Sequence, residues 1–81
     1  MRGGEIDLVV GRAGLVVFVE VKARASDRFG DPSLAVTRSK QTRLRRLAVA
    51  WLAATDTHGV EVRFDVVAVV GVNLRVIEAA F

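Results

Sequence analysis

The stretch LVVFVEVK at residues 15–22 decides the fold, because it is typical of a β-strand that changes from apolar to charged near its end. Its β-branched and aromatic residues favour extended backbone. Side chains alternate along a strand, so Val16, Phe18, Glu20 and Lys22 share one face. Val16 and Phe18 indicate that this face points toward a core, so the charged groups beside them require an explanation.

The residues before this strand predict a hairpin partner. Residues 5–10 alternate charged and apolar side chains, with Glu5 and Asp7 on one face and Ile6, Leu8 and Val10 on the other. Residues 11–14 (GRAG) then supply turn chemistry. The sequence therefore predicts two antiparallel strands joined by a tight turn.

The residues after this strand predict a loop, one helix and two more strands. Asp27 to Ser33 forms the loop, and an amphipathic helix runs from an N-cap at Thr37 to near Gly59. Its apolar stripe is Leu44, Leu47, Ala48, Trp51 and Leu52. A strand at residues 61–70, buried on both faces, and a short strand at residues 74–77 complete the chain. The expected fold is α/β, with a mixed sheet and the order β-β-α-β-β in one domain over residues 1–81.

Composition narrows the possible sites and locations. The 81 residues include no cysteine and one histidine, which excludes thiolate-rich metal sites and a site built from histidines alone. Any metal must therefore bind carboxylate oxygens. No apolar run approaches the length of a membrane span, so the expected location is the cytoplasm, without membrane contact.

Positive charge is concentrated in one segment. The net charge is +3, and no acidic residue lies between Pro32 and Thr55. The basic residues of that interval are Arg38, Lys40, Arg43, Arg45 and Arg46. This cluster favours contact with a polyanion, although a solvated helix face is an open alternative. Lys40 lies one turn before Leu44, so it points either toward the sheet or outward.

Two carboxylates are expected to meet across the hairpin. An even-numbered loop brings Asp7 and Glu20 to one face, with Cβ atoms roughly 4.5–8 Å apart. Oxygen ligands without histidine or cysteine suit Mg²⁺ or Mn²⁺, and Lys22 on the same face could orient a metal-bound water. The alternative is a solvent-exposed cross-strand pair of structural charges.

Several blocks of the sequence resemble one family. They are GEIDL at residues 4–8, VFVEVKAR at 17–24, FGDP at 29–32, Lys40, AWL at 50–52, RFDVV at 63–67 and EAAF at 78–81. In this order they resemble the YraN-like family of predicted bacterial endonucleases, within the PD-(D/E)xK superfamily. The resemblance implies a restriction-endonuclease-like fold. It also implies that Asp7 and Glu20 are metal-binding carboxylates and Lys22 the catalytic lysine, with Glu5 matching a further family glutamate.

The resemblance also implies a function. The expected function is metal-dependent hydrolysis of DNA, including branched or junction DNA, and the alternative is a module that binds nucleic acid or assembles without cleaving. Mg²⁺ or Mn²⁺ would lie on Asp7, Glu20, the Val21 carbonyl and Glu5, while Arg24 and the five basic residues at 38–46 would contact phosphates irrespective of base sequence.

Family members usually have a helix and a strand before the GEID block, which here begins at Gly4. The sequence therefore predicts an amino-terminally truncated domain: a fragment, a late start, or a chain whose partner fills the gap. An exposed strand edge at this position favours a homodimer.

Overall fold

The structure, a computed structural model, describes residues 6–24 and 36–81. Within them, one sheet contains β1 (Leu8–Arg12), β2 (Leu15–Arg24), β3 (Glu61–Val70) and β4 (Asn73–Ile77), in that spatial order. Helix α1 (Arg38–Ala54) connects β2 to β3 along the chain. The predicted α/β class, mixed sheet and element order are confirmed. The predicted loop at residues 27–33 lies outside the described residues.

Strands β1 and β2 form the predicted hairpin, but with a shorter turn. The antiparallel register runs from Leu8 opposite Val19 to Arg12 opposite Leu15, which leaves only Ala13 and Gly14 in the turn. Gly14 has φ +75°, a conformation that glycine adopts without steric cost. The expectation that the turn would begin at residue 11 is therefore wrong, because one well-placed glycine reverses the chain.

The beginning of β1 also differs from the prediction. The strand begins at Leu8, whereas alternation placed its start at Glu5, which lies outside the described residues. The Asp7 carboxylate, rather than a backbone carbonyl, accepts the hydrogen bond from the Val21 N–H. Since a ladder amide can make one strong hydrogen bond, this side-chain bond ends the regular pairing of β1 at this point.

Helix α1 packs on one face of the parallel pair β2–β3. The register places Phe18 opposite Phe64 and Glu20 opposite Val66. The helix buries Ala48 against Phe18, and Leu44 and Leu47 against Val66. The core thus lies between α1 and the face that carries the even-numbered residues of β2 and β3.

The start of α1 confirms the predicted cap, and its end is earlier than predicted. Thr37 is the N-cap, and its Oγ1 accepts a hydrogen bond from the Lys40 N–H at 3.2 Å. The helix ends at Ala54 rather than near Gly59. The Thr55 hydroxyl donates to the Trp51 carbonyl at 2.8 Å, and Asp56 takes a left-handed φ of +53°. These local contacts turn the chain out of the helix before the glycine.

The central part of β3 is buried on both faces, whereas its ends are not. Val66 faces the helix and is fully buried, and Asp65 faces the other side and is also buried. The Asp65 carboxylate accepts hydrogen bonds from the Arg63 guanidinium and from the Ala79 N–H, all at 2.9 Å. These bonds attach the carboxyl-terminal turn to β3, where Phe81 stacks on Phe64 at a centroid distance of 5.0 Å.

The opposite face of the sheet carries exposed apolar side chains. They are Leu8 and Val10 of β1, Val21 of β2, and Leu74 and Val76 of β4. Residues paired across a sheet share a face, so the register places all five on the side away from α1. Among residues 6–24 and 36–81, no helix has both the length and the apolarity needed to cross a bilayer.

Phe18 should be the main packing residue of the core. It is 2% exposed, meets Trp51 edge-to-face and stacks on Phe64, both at 5.6 Å. We expect Phe18→Ala to lower the free energy of unfolding by about 3–5 kcal/mol, the usual cost of removing a buried aromatic ring. Urea denaturation would measure the change. Leu74→Ala, at a residue 68% exposed, is the control and should change it by less than about 0.5 kcal/mol. Equal losses in the two variants would contradict this packing.

Candidate functional site

Glu20 is a carboxylate buried on the helix-facing side of the sheet. It follows Phe18 by two residues on β2, so strand alternation points its side chain toward α1. The residue is only 8% exposed. A charged group at this depth loses most of its hydration and requires partners inside the protein. In the described part of the chain, no buried side-chain nitrogen or oxygen lacks a hydrogen-bond partner.

Two ammonium groups supply the partners of Glu20. The Nζ of Lys22 lies 3.4 Å from Glu20 Oε1, and the Nζ of Lys40 lies 2.5 Å from the same oxygen. Lys22 reaches it from the same face of β2. Lys40 reaches it from the first turn of α1, on the stripe that continues through Leu44 and Leu47. Of the two orientations that the sequence left open for Lys40, the structure has the inward one.

The two lysines have different electrostatic environments. Burial lowers the pKa of Lys22, and the neighbouring Lys40 ammonium lowers it further. The hydrogen bond to Glu20 instead raises the pKa of Lys40. Of the two ammonium groups, Lys22 therefore gives up its proton more readily and Lys40 is the more firmly charged partner of the carboxylate.

Asp7 contacts the backbone of β2 beside Glu20. The paired residues of β1 begin at Leu8, opposite Val19, so Asp7 precedes the register and its predicted place opposite Glu20 stays a prediction. Asp7 is exposed, and its Oδ2 accepts a hydrogen bond from the Val21 N–H at 2.8 Å. This bond fixes the carboxylate beside β2. Glu20 with its partners Lys22 and Lys40, together with Asp7 bound to the backbone of the residue after Glu20, is what we call the Glu20 cluster.

The Glu20 cluster has the donor chemistry of a site for a hard cation. Among the described residues, no group of three or more histidine, cysteine, aspartate or glutamate side chains could hold a metal ion. A cation here would therefore depend on the Asp7 and Glu20 carboxylates, a number that suits Mg²⁺ because it usually takes one or two carboxylates and water. The ammonium groups on Glu20 Oε1 show that this oxygen accepts a positive charge. The predicted ligand Glu5 lies outside the described residues, and the carbonyl of Val21 stays a prediction.

The predicted phosphate-binding residues occupy different environments. Arg38, Arg43 and Arg46 are exposed on α1, whose first turn contains no acidic residue. The Arg45 guanidinium lies over the Phe64 and Phe81 rings, 5.6 and 5.4 Å from their centroids. Arg45 therefore also helps to hold the carboxyl-terminal turn by cation–π contact, a role that no local sequence pattern predicts because Arg45 and Phe81 lie far apart along the chain. Arg24 is the last residue of β2.

Removing the charge of Glu20 should destabilise the fold. Glu20→Gln leaves the Lys22 and Lys40 ammonium groups close together without a counter-charge. We expect a loss of about 1–3 kcal/mol in the free energy of unfolding, the range for an unsatisfied buried partner. Adding Lys40→Met should recover part of it, because one of the two repelling charges is gone. Urea denaturation of both variants, with exposed Glu61→Gln as control, would measure this. A double variant less stable than Glu20→Gln alone would contradict the arrangement.

Comparison with known proteins places the chain in a family. A family profile described as "Uncharacterised protein family UPF0102" matches residues 1–69, a range that includes the whole Glu20 cluster. A UPF0102 protein of Beutenbergia cavernae is 61% identical over 66 residues, which are 82% of this chain and 56% of the relative. UPF0102 proteins of Rhodococcus opacus and Symbiobacterium thermophilum are each 52% identical over 68 residues, 84% of this chain and 58% of theirs. The chain spans little more than half the length of these curated relatives, and it belongs to the UPF0102 family.

Proposed function

We propose that the chain carries the active site of a metal-dependent endonuclease of the PD-(D/E)xK type, which hydrolyses phosphodiester bonds of DNA, including branched or junction DNA. The observation that supports this proposal is the Glu20 cluster: a buried glutamate, an aspartate whose carboxylate binds the backbone N–H of the next residue, Val21, and a lysine two residues beyond the glutamate. Two carboxylates beside an ammonium group are what a hydrolytic site needs to hold a hard cation and position water.

In this proposal each residue of the cluster has a separate role. Asp7 and Glu20 hold Mg²⁺ or Mn²⁺, with the Val21 carbonyl and Glu5 as further candidate ligands. When bound, the cation supplies Lewis-acid polarisation of the phosphate. The Val21 N–H fixes Asp7 through its 2.8 Å hydrogen bond, so this ligand is already oriented. Lys22 is placed to orient the attacking water, and burial makes its proton easier to lose.

The substrate class follows from the basic surface of α1. Arg38, Arg43 and Arg46 are exposed there, close in sequence to Lys40 of the Glu20 cluster. Phosphate groups of a DNA backbone attract such a surface irrespective of base sequence, and Arg24 and Arg45 are further predicted contacts. A DNA backbone bound to this surface would have one of its phosphates near the Glu20 cluster, where the phosphodiester bond would be cleaved.

A specific observation favours a second function, a nucleic-acid-binding or assembly module that does not cleave. The Lys22 and Lys40 ammonium groups together offset the charges of the Glu20 and Asp7 carboxylates, so the four residues of the Glu20 cluster sum to zero charge without a metal ion. Such a site can be a structural element that joins α1 to the sheet while the arginines bind nucleic acid. Both functions use the same basic surface, and only cleavage distinguishes them.

A homodimer is the protein partner we propose. In the described sheet β1 is an edge strand, and its residues Leu8 and Val10 are exposed on the face away from α1. Unpaired backbone groups at an edge can pair with another strand, and a second copy offers the same edge. Analytical ultracentrifugation at several protein concentrations would detect the dimer.

Cleavage should depend on Glu20. We expect cleavage of at least one member of a panel of branched and linear DNAs in the presence of Mg²⁺ or Mn²⁺. Glu20→Gln should reduce the rate more than about 100-fold, because metal-ion catalysis supplies several kcal/mol. DNA affinity should be unchanged or higher. Glu61→Gln, on the exposed start of β3, is the matched control. DNA binding without cleavage of any substrate would favour the module.

Salt dependence should identify the phosphate contacts on α1. We expect the affinity for duplex DNA to fall as salt rises, and Arg43→Ala and Arg46→Ala each to flatten the log–log slope by about 0.9 per lost contact. The loss should be similar for unrelated DNA sequences, because phosphate contacts carry no base information. Fluorescence anisotropy at several salt concentrations would measure the slopes. Unchanged slopes in both variants would mean that these arginines form only a solvated face.

A further inference from the structure

Both lysines of the chain contact the same carboxylate oxygen. The sequence has 12 basic residues other than histidine, of which ten are arginines and two are Lys22 and Lys40. Both ammonium groups approach Glu20 Oε1. The single negative charge of Glu20 thus faces two positive charges, so one ammonium group would be enough to neutralise this carboxylate. An excess ammonium group at a metal-binding oxygen competes directly with a divalent cation.

The structure distinguishes the two lysines by position. Lys22 belongs to the same strand as Glu20, and its side chain is 13% exposed. Lys40 belongs to α1, its side chain is 24% exposed, and it makes the shorter contact with the carboxylate. Because Lys40 belongs to a different element from Glu20 and lies nearer solvent, its ammonium group can move away from Glu20 while β2 stays in place.

We propose that Lys40 is a positioning residue that acts as an internal cation at Glu20, which a divalent metal ion must displace in order to bind. Without metal, its ammonium group holds Glu20 in place and joins α1 to β2. When a divalent cation binds to Glu20, the Lys40 side chain moves to solvent. This inference rests on the proposed function, because it assumes that Glu20 is a metal ligand.

The proposal has a direct consequence for metal affinity. In the wild-type protein, part of the binding free energy of the cation is used to break the contact between Lys40 and Glu20. A variant without this ammonium group does not have that cost. Loss of one charge-assisted hydrogen bond corresponds to a change of about tenfold or more in the dissociation constant. Lys40→Met keeps the apolar stem and removes only the charge.

Calorimetric titration with Mn²⁺ tests this consequence. We expect Lys40→Met to bind Mn²⁺ about tenfold more tightly than wild type. Arg12→Met is the control: it removes one positive charge at a residue opposite Leu15, five residues from Glu20 along β2, or about 17 Å. It should leave the affinity nearly unchanged. Glu20→Gln should abolish binding, which identifies the site.

The titration separates failure of this inference from failure of the metal site. Equal Mn²⁺ affinity in wild type and Lys40→Met, with none in Glu20→Gln, would overturn the role of Lys40 and leave the metal site in place. Absence of Mn²⁺ binding in both wild type and Lys40→Met would overturn both the role of Lys40 and the metal-dependent function. Tighter Mn²⁺ binding in Lys40→Met, with the affinity of Arg12→Met equal to that of wild type, would support displacement of the Lys40 ammonium group by the metal ion.

A second measurement uses the wild-type protein and needs no substitution. Acetic anhydride modifies free amines, and the chain has two lysines besides its terminal amine, so each site can be assigned by mass spectrometry. We expect saturating Mn²⁺ to increase the labelling of Lys40 several-fold relative to the terminal amine. Unchanged labelling of Lys40 at saturation would overturn the proposal, even if Lys40→Met failed to fold.

Discussion

The ion pair between Lys40 and Glu20 joins the helix to the sheet at the point where the chemistry would occur. Glu20 is buried, so its charge is compatible with folding only if cationic partners lie within reach. One partner comes from its own strand and the other from the first turn of α1. The position of the helix start, and with it the basic surface, therefore depends on how this carboxylate is compensated.

The core aligns the elements that form this contact. Parallel pairing of β2 and β3 requires a crossover, which α1 provides. Phe18, Trp51 and Phe64 pack between helix and sheet, and Phe18 lies two residues before Glu20 on the same face of β2. Apolar packing thus fixes the distance between α1 and β2, and the charged residues lie where that packing ends. A buried apolar cluster next to a buried carboxylate lowers the local polarity and strengthens every charge interaction there.

The sequence predicted features that depend on period and on local chemistry. Alternation identified β2 and its helix-facing residues, and Thr37 identified the beginning of α1. The prediction from sequence was wrong where a single local contact decides the outcome: Thr55 and Asp56 end the helix before Gly59. The shorter hairpin turn has the same kind of cause, a positive φ at Gly14. Periodicity averages over many residues, so such contacts do not appear in it.

The candidate site was predictable in its residue types but not in its contacts. Strand alternation correctly placed Glu20 and Lys22 on one face of β2. The hydrogen bond of the Asp7 carboxylate to the Val21 N–H was not predicted, because alternation describes side-chain faces and not bonds to the backbone. The inward orientation of Lys40 was only one of two possibilities, because it depends on how α1 rotates against the sheet. The cation–π contact of Arg45 with Phe81 joins residues from distant parts of the chain, and no sequence period reports it.

Paramagnetic broadening by Mn²⁺ in an amide NMR spectrum tests the central claim most directly, that Glu20 and Asp7 form a cation site. Substoichiometric Mn²⁺ should first broaden the signals of Asp7, Glu20 and Val21. Asp56 provides the comparison, since it is an exposed carboxylate beyond the far end of α1, a helix about 25 Å long. Earlier broadening around Asp56, or equal broadening around all carboxylates, would contradict the claim that the Glu20 cluster binds metal.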